Sequence, residues 1–417
     1  MIQTYRCRIR VLLIALLMAA GSGCQKPAEP PQYARPLAPG ESALRKLPPH
    51  MWPSLEASMF TADAGLLRAL ERSQGWFEKP STRQFFGGSI SHEHAHASVF
   101  AMHELISSSQ SPQTTVNTIR EQFDLYQSVG WDGRGTVLYT GYYTPQVEAS
   151  RQRTDEYRFP LYRRPSDLVS DKVTGRVLGR RVGQAVVGYP SRREIETSGM
   201  LRGQELVWMR DPFECYLVQI QGSARLEMAD GSILPVGFAG SNGHEYVSIA
   251  KLLVAEGKLD QNTLSLPAVQ AYFDTNPGQL SRYIMKNDRF VFFKEYEGMD
   301  WPAGSLGVSV TARRSLATDK SVYPRGGVVL VETEIPMRAT ASKRPFRQIM
   351  LDQDTGGAIR AAGRADIYMG IGPGAKTLAG RQLDEGKLYH FFLRSEYVAE
   401  WVGKMKRGQL AFVGVRD

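Results

Sequence analysis

From Gly130 onward the chain breaks into short β-branched and aromatic runs punctuated by Gly, Asp-Gly and Pro, among them "TVLYTGYYTPQVEAS", "RFVFFKEYEG" and "GVVLVETEIP". Runs this short, with turn residues between them, build barrels or sandwiches rather than helical bundles. "ECYLVQIQGSARLEMADGSILPVGFAG" reads the same way, as strand, with Asp230-Gly231 as a hairpin turn between "ARLEMA" and "SILPVGFA". One helix interrupts, "YVSIAKLLVAEGKL", with apolar Val247, Ile249, Ala250, Leu253 and Val254 and a stop at Gly257. The 40 glycines and 23 prolines fit a turn-rich β fold.

Upstream the period changes. Between Asp63 and Val129 the segments "AGLLRALERSQGWF", "HASVFAMHELISSS" and "PQTTVNTIREQFDLYQSVG" read as helices. In the last, Val116, Ile119, Phe123 and Tyr126 recur at three- and four-residue spacing, and Pro112 suits a first helical turn. The expected class is mainly β with N-terminal helices. A chain of 417 residues is long enough for two or three domains with cores of their own.

The N-terminus has the layout of a secretory signal: Arg6, Arg8 and Arg10, an apolar run from Val11 to Ala20, then small residues up to Cys24. About ten apolar residues are too few to span roughly 30 Å of hydrocarbon as a helix, so residues 1–23 are read as an export signal. Cys24 is placed as the acylated first residue of a lipoprotein; Gly21 stands where an aliphatic residue is usual, and the alternative is an ordinary signal cut between Ala20 and Gly23. Gln25 in place of aspartate points an acylated form to the outer membrane, facing the periplasm. Residues 24–51, rich in proline, read as an extended tether, which at about 3.1 Å per residue reaches roughly 75 Å. With Cys7 removed and Cys24 acylated, Cys215 is left as a buried, inert thiol. Loss of the three signal arginines lowers the formal charge from +9 to +6, which suits a polyanionic neighbour such as cell wall or membrane; charge alone does not exclude nucleic acid.

Several constellations are better explained by local structure, a polar helix start or a turn, than by chemistry. His92, His94, His96 and His103 fall together, and three of them share a helical face, yet no zincin pairing follows and no metal is expected. Gly370, Gly372 and Gly374 in "MGIGPGA" enclose Pro373 and make a tight turn rather than a dinucleotide or phosphate loop. No G-x-S-x-G elbow occurs. Asp319, Asp354 and Asp366, taken singly, read as turn caps.

A resemblance separates these aspartates from the other acids. "TARRSLATD", "QDTGGAI", "GRADIYMGIGPGA" and "LYHFFL", with "YTGYYTP", "LVQIQGSARLEMADGS" and "GFAGSNGHEY" upstream, resemble in order the blocks of the membrane-bound lytic transglycosylase A family. The resemblance implies a double-psi β-barrel with a three-aspartate (3D) domain, assembled from residues 52–144 and 301–417, and a second inserted β-barrel domain over 145–300, with the substrate groove between them. It implies Asp366 as the catalytic acid, with Asp354 and Asp319 supporting barrel or groove. Within the matching blocks Tyr142, Tyr143, Gln219, Gln221, Ser223, Asn242 and Tyr368 supply rings and hydrogen-bonding groups for sugars, the tyrosines equally suiting strand packing.

The implied partner is the glycan strand of peptidoglycan, with membrane contact through the N-terminal lipid, no nucleic acid and no cofactor; any cell-wall synthesis or division protein among the partners is left open. The implied reaction cleaves the β-1,4 bond between N-acetylmuramic acid and N-acetylglucosamine and closes a 1,6-anhydro ring. One carboxyl then serves as acid and as base, and apolar neighbours of Asp366 are expected to raise its pKa. Two other readings compete: a hydrolase pairing Asp354 with Asp366 across a water, and a wall-binding lipoprotein without turnover.

Overall fold

The computed structural model describes residues 30–413, apart from 109, 173–174, 298–300 and 339–341. The signal and Cys24 lie outside the described residues. The chain divides into an N-terminal unit, Met1–Gln32, and a body, Tyr33–Asp417; residues 30–32 of the first have no regular secondary structure. Within the body the chain is already built in well before Met51. Strand β1 (Leu44–Lys46) pairs antiparallel with residues 126–128, and Ala43 and Leu47 are buried. The extended tether expected over 24–51 is therefore corrected over its second half, where two apolar anchors and a strand edge hold it down.

Three helices follow, each started by a side-chain cap. In α1 (Ala64–Phe77) Asp63 accepts from Gly65 N and Leu66 N at 2.8 and 2.9 Å. Ser91 caps α2 (His92–Ser107), and Ser111 with Pro112 starts α3 (Pro112–Gln122). Three of the four histidines of α2 are spent on packing: His92 bonds Thr82, His96 stacks on Phe77, and His94 bonds the carbonyl of Leu393, while His103 sits beside Glu71 and Glu104. Helix α3 ends earlier than its spacing predicted. Phe123 and Tyr126 belong to β2 (Phe123–Ser128), where burial alternates and both edges are paired, to β1 and to residues 389–393.

The first barrel is split in sequence. It starts with β3 (Val137–Thr144), leaves for the insert, and returns as β13–β17. The insert holds β4 (Gln146–Ser150), β5 (Phe159–Tyr162), β6 (Leu168–Ser170), β7 (Val177–Val182), β8 (Ala185–Val187), α4 (Arg192–Ser198), β9 (Glu205–Met209) and α5 (Pro212–Gln221). It continues with β10 (Ser223–Met228), β11 (Ile233–Ser241), α6 (Ile249–Ala255), α7 (Leu266–Thr275), α8 (Leu280–Ile284) and β12 (Val291–Glu295). The return supplies β13 (Ser315–Ala317), β14 (Val328–Pro336), β15 (Lys343–Asp354), β16 (Arg364–Ile371), α9 (Pro373–Arg381), β17 (Leu383–Leu393) and α10 (Ser395–Val413).

Strand order β17-β14-β15-β13-β16-β3, with β3 pairing back onto β17, closes a six-stranded ring. Alternation on β14 shows its two faces: Val328 and Leu330 pack with α1 and α2, while Val329 and Val331 join Tyr139, Met350 and Ile367 in the ring's interior. The insert forms a second six-stranded sheet, β12-β11-β10-β4-β9-β5, whose ends meet through an Arg163–Phe293 bridge around its own core.

Two local expectations change. "FECYLVQIQ" is helix α5, not strand: Asp211 caps it, Pro212 opens it, and Gly222 in the left-handed region (φ +76°) ends it. Cys215 on it is buried, and burial pushes the thiol up to about 12. The described residues of the insert hold five short α-helices where one helix was expected. The Asp230-Gly231 hairpin joins β10 to β11 as predicted, with Gly231 at φ +82°.

Inside the first barrel His390 stacks on Tyr323 and Phe392 at 5.3 and 6.3 Å, and neither ring nitrogen finds a partner among the described residues. Burial, with the Lys320 charge second, pulls the imidazole down to about 3. An unfolded histidine titrates near pH 6.5, so between these values only the unfolded chain binds the proton. Stability is then fully present above pH 6.5 and is lost toward pH 3, by about 1.4 kcal/mol per pH unit. His390→Phe is expected to flatten the stability profile between pH 4 and 7; superimposable urea profiles of the two chains across that range would refute it.

Candidate active site

A single row of residues crosses four strands of the first barrel. Ala317 on β13 pairs with Asp354 of β15 on one side and Asp366 of β16 on the other, and Asp366 pairs in turn with Thr140 of β3. The β13–β15 register shifts between Leu316 and Ala317, and across that irregularity both carboxyls still border the same cleft. Their Cα atoms stand two strand spacings apart, about 10 Å. The small Ala317 between them leaves the floor open, and all four line a cleft of about 510 Å³.

Asp366 is held by one oxygen. Its Oδ1 accepts from the Thr140 hydroxyl and, at 3.3 Å, from Arg364 Nη2, while the same guanidinium nitrogen donates to Thr140 Oγ1 at 2.9 Å. Oδ2 accepts no hydrogen bond from the described residues, and the side chain is only 16% exposed. The apolar setting expected around this carboxyl is therefore corrected: its nearest partners are polar, and Arg364 does approach it. Arg360 turns away and pairs with Glu245 at 3.5 Å.

Asp354 is bound differently. Its Oδ1 accepts backbone N–H groups from Ser305 and Thr355 at 2.7 and 2.8 Å. Burial pushes this carboxyl above the usual range against those hydrogen bonds, which favour the ionised form. Tyr142 lies beside it with a hydroxyl close enough to influence its ionisation but without a well-formed hydrogen bond, and its ring leans on Tyr368 at 5.1 Å. Asp319 does not line the cleft. Its Oδ1 accepts from Ser321 N and Oγ, and its Oδ2 from Ala361 N at 2.7 Å, which holds Ala361 in the left-handed region at φ +62°. Asp319→Ala removes these three bonds and is expected to destabilise by about 2–4 kcal/mol; a loss under about 1 kcal/mol in urea unfolding would contradict that role.

Of the sugar-binding residues predicted from sequence, Tyr142, Gln219 and Gln221 line the cleft and the others do not. Gln219 accepts from Arg192, and Gln221 from the backbone of Tyr143. Tyr143 is buried in the barrel core, and Ser223 and Tyr368 are buried around the hydroxyl of Thr144. Asn242 is consumed by backbone: it donates to the carbonyls of Pro190 and Asp288 and accepts from Phe290 N. Among the described residues no cluster of three or more His, Cys, Asp or Glu is arranged to hold a metal.

The two halves of this cleft match two known modules. A profile of the MltA specific insert domain matches residues 138–294, and one of the 3D domain matches residues 314–391. Membrane-bound lytic murein transglycosylase A of Escherichia coli K12 is 31% identical over 271 residues, 64% of this chain and 68% of that one. The chain belongs to the membrane-bound lytic murein transglycosylase A family. A membrane-bound lytic murein transglycosylase from Agrobacterium tumefaciens superposes with a TM-score of 0.69 at 26% identity, over 81% of this chain and 94% of the other. The lytic transglycosylase LtgG of Burkholderia pseudomallei gives 0.50 at 29% identity, over 88% and 100%.

Within this family frame all three aspartates lie in the 3D segment, and the opposite wall comes from the insert. That wall holds what the sequence did not disclose. Arg192 is fully buried, sandwiched between Tyr216 and Phe290, and donates to Asn287 O, Glu196, Gln219 and Arg289 O. Arg289, Glu245 and Lys251 also face the cleft, and Ala34 of the docked N-terminal segment borders it. Thr140 and Arg364 sit within quoted motifs, yet only strand pairing reveals that both meet Asp366.

Proposed function

We propose that the protein is a lytic transglycosylase that cleaves the β-1,4 bond between N-acetylmuramic acid and N-acetylglucosamine in peptidoglycan and leaves 1,6-anhydromuramic acid ends. The observation that carries this reading is Asp366, clamped through Oδ1 by Thr140 and Arg364 with Oδ2 left for substrate in the cleft between the two barrels. The names of the relatives support the activity.

The protonated carboxyl of Asp366 gives its proton to the glycosidic oxygen as the bond to C1 breaks. The muramic acid C6 hydroxyl then bonds to C1, and its proton passes to the Asp366 carboxylate. No water enters, and the carboxyl is restored. Thr140 and Arg364 fix the rotamer through both steps without occupying the reacting oxygen. Tyr142, Gln219 and Gln221 offer a ring and amides along the sugar path.

The row geometry favours one competing reading, a hydrolase in which Asp354 activates a water opposite Asp366, since a gap of two strand spacings can hold one. Mass spectrometry of murein digests separates the two. Anhydro ends support the transglycosylase, reducing ends the hydrolase, and intact sacculi a binding protein without turnover.

The membrane attachment is read from Cys24 as an acylated anchor in the outer membrane, facing the periplasm. No helix of the described residues is long and apolar enough to cross a bilayer.

A further inference from the structure

We infer that the insert wall of the cleft carries a carboxylate-binding site centred on Arg289, which takes an acidic group borne by the glycan strand rather than a sugar hydroxyl. This rests on the reading that the cleft receives peptidoglycan, and it adds the part of the substrate that the Asp366 end does not address.

Arg289 precedes β12 and reaches across to the first barrel. A Cβ added at Gly357, three residues beyond Asp354, would stand 3.5 Å from Arg289 Nε and 3.6 Å from its Cζ, so the guanidinium packs against the Gly-Gly turn. The two cleft arginines of the insert differ in how much of their bonding capacity is used. Arg192 donates from all three of its nitrogens to four protein acceptors. The side chain of Arg289 makes one long bond among the described residues, Nη1 to the carbonyl of His244 at 3.4 Å. A half-buried guanidinium with most of its five donors unspent is a poor resident of a dry wall and a good host for a planar anion.

The charges around it point the same way. Arg360 from the barrel and Lys251 from α6 face the same cleft, and the acid on this wall, Glu245, is shared with Arg360. Asp366 has its own cation in Arg364. Burial, and then the Arg360 charge, depress the proton affinity of Arg289 against the smaller opposing effect of Glu245, and an arriving carboxylate acts in the same sense as Glu245. Peptidoglycan offers carboxylates from two sources, the lactyl group of muramic acid when no peptide is attached and the acids of the peptide stem when one is. Either fits the bidentate fork of Arg289.

Calorimetric binding in the Asp366→Asn background tests the site with three ligands: a neutral chitooligosaccharide, a glycan strand freed of peptides, and a stem-bearing strand. Arg289→Gln is expected to weaken binding of a carboxylate-bearing strand about 10- to 100-fold more than binding of the chitooligosaccharide. Arg289→Lys should recover part of the loss, and Glu245→Gln, which removes a competing acid, should tighten the same ligand. A loss on the peptide-free strand assigns the lactyl carboxylate, and a loss confined to the stem-bearing strand assigns the peptide. Equal losses on all three ligands, or none on either charged strand, overturn the proposal. Cleavage of strands in the calorimeter would instead count against the role given to Asp366, a result distinct from any pattern of the three affinities.

Discussion

Asp366→Asn is expected to reduce release of anhydromuropeptides by about 10²- to 10⁴-fold at the least, because the proton donated to the leaving oxygen and the proton taken from the C6 hydroxyl pass through the same group. The amide oxygen can still accept from Thr140 and Arg364, which bind only one oxygen of the native carboxyl, so rotamer and fold should persist. The pair with Arg364 is long at 3.3 Å, and its weakening is worth about 1 kcal/mol or less. Asp354→Asn should invert the balance. Its oxygen ties the Ser305 and Thr355 amides to the end of β15, so the loss falls more on stability than on chemistry. A folded Asp366→Asn protein with near wild-type turnover would remove Asp366 from the mechanism, and a far larger activity loss in Asp354→Asn would move the reading to the two-carboxylate hydrolase.

What the sequence made legible follows from how local each signal is. Helix α1 matches the predicted segment because Asp63, the apolar spacing and the chain direction all agree within fifteen residues. Phe123 and Tyr126 satisfied the helical period and yet are strand, since the pairing partners that decide β2 lie at residues 44–46 and 389–393. "FECYLVQIQ" is apolar enough for either state, and the deciding signals, the Asp211 cap and the Gly222 stop, flank it rather than lie within it. The three aspartates, and the division between Asp366 as acid and Asp354 and Asp319 as supports, came from motif resemblance, but the partners each support holds did not. Asp319 and Asp354 accept backbone amides at 42 and 49 residues' separation, and no local pattern announces that. Arg192 and Arg289 are invisible for the same reason. They belong to the cleft only because the insert folds back over the barrel.

The largest stability effect is expected from a pair that no motif marked. Lys320 and Asp352 form an ion pair inside the first barrel with side chains 4% and 0% exposed, and Thr318 donates to the second carboxylate oxygen at 2.8 Å. Burial pulls the lysine down and pushes the aspartate up, and each charge opposes that shift in the other. Lys320→Met leaves a carboxylate that must stay buried without its cation or take up a proton, and the expected destabilisation is about 3–5 kcal/mol. The double variant Lys320→Met, Asp352→Leu removes both charges and should recover much of this, since apolar replacement of a buried pair is often neutral. The consequence reaches the cleft. Thr318 N donates to the backbone carbonyl of Asp354 at 3.1 Å, and the Lys320 charge favours ionised Asp354, so the pair braces the strand ends from which the active-site row projects. Urea unfolding of the two single variants and the double closes the cycle. A single-variant loss under about 1 kcal/mol, or a double variant as unstable as the sum of the singles, would show that the pair does not hold the barrel together in this way.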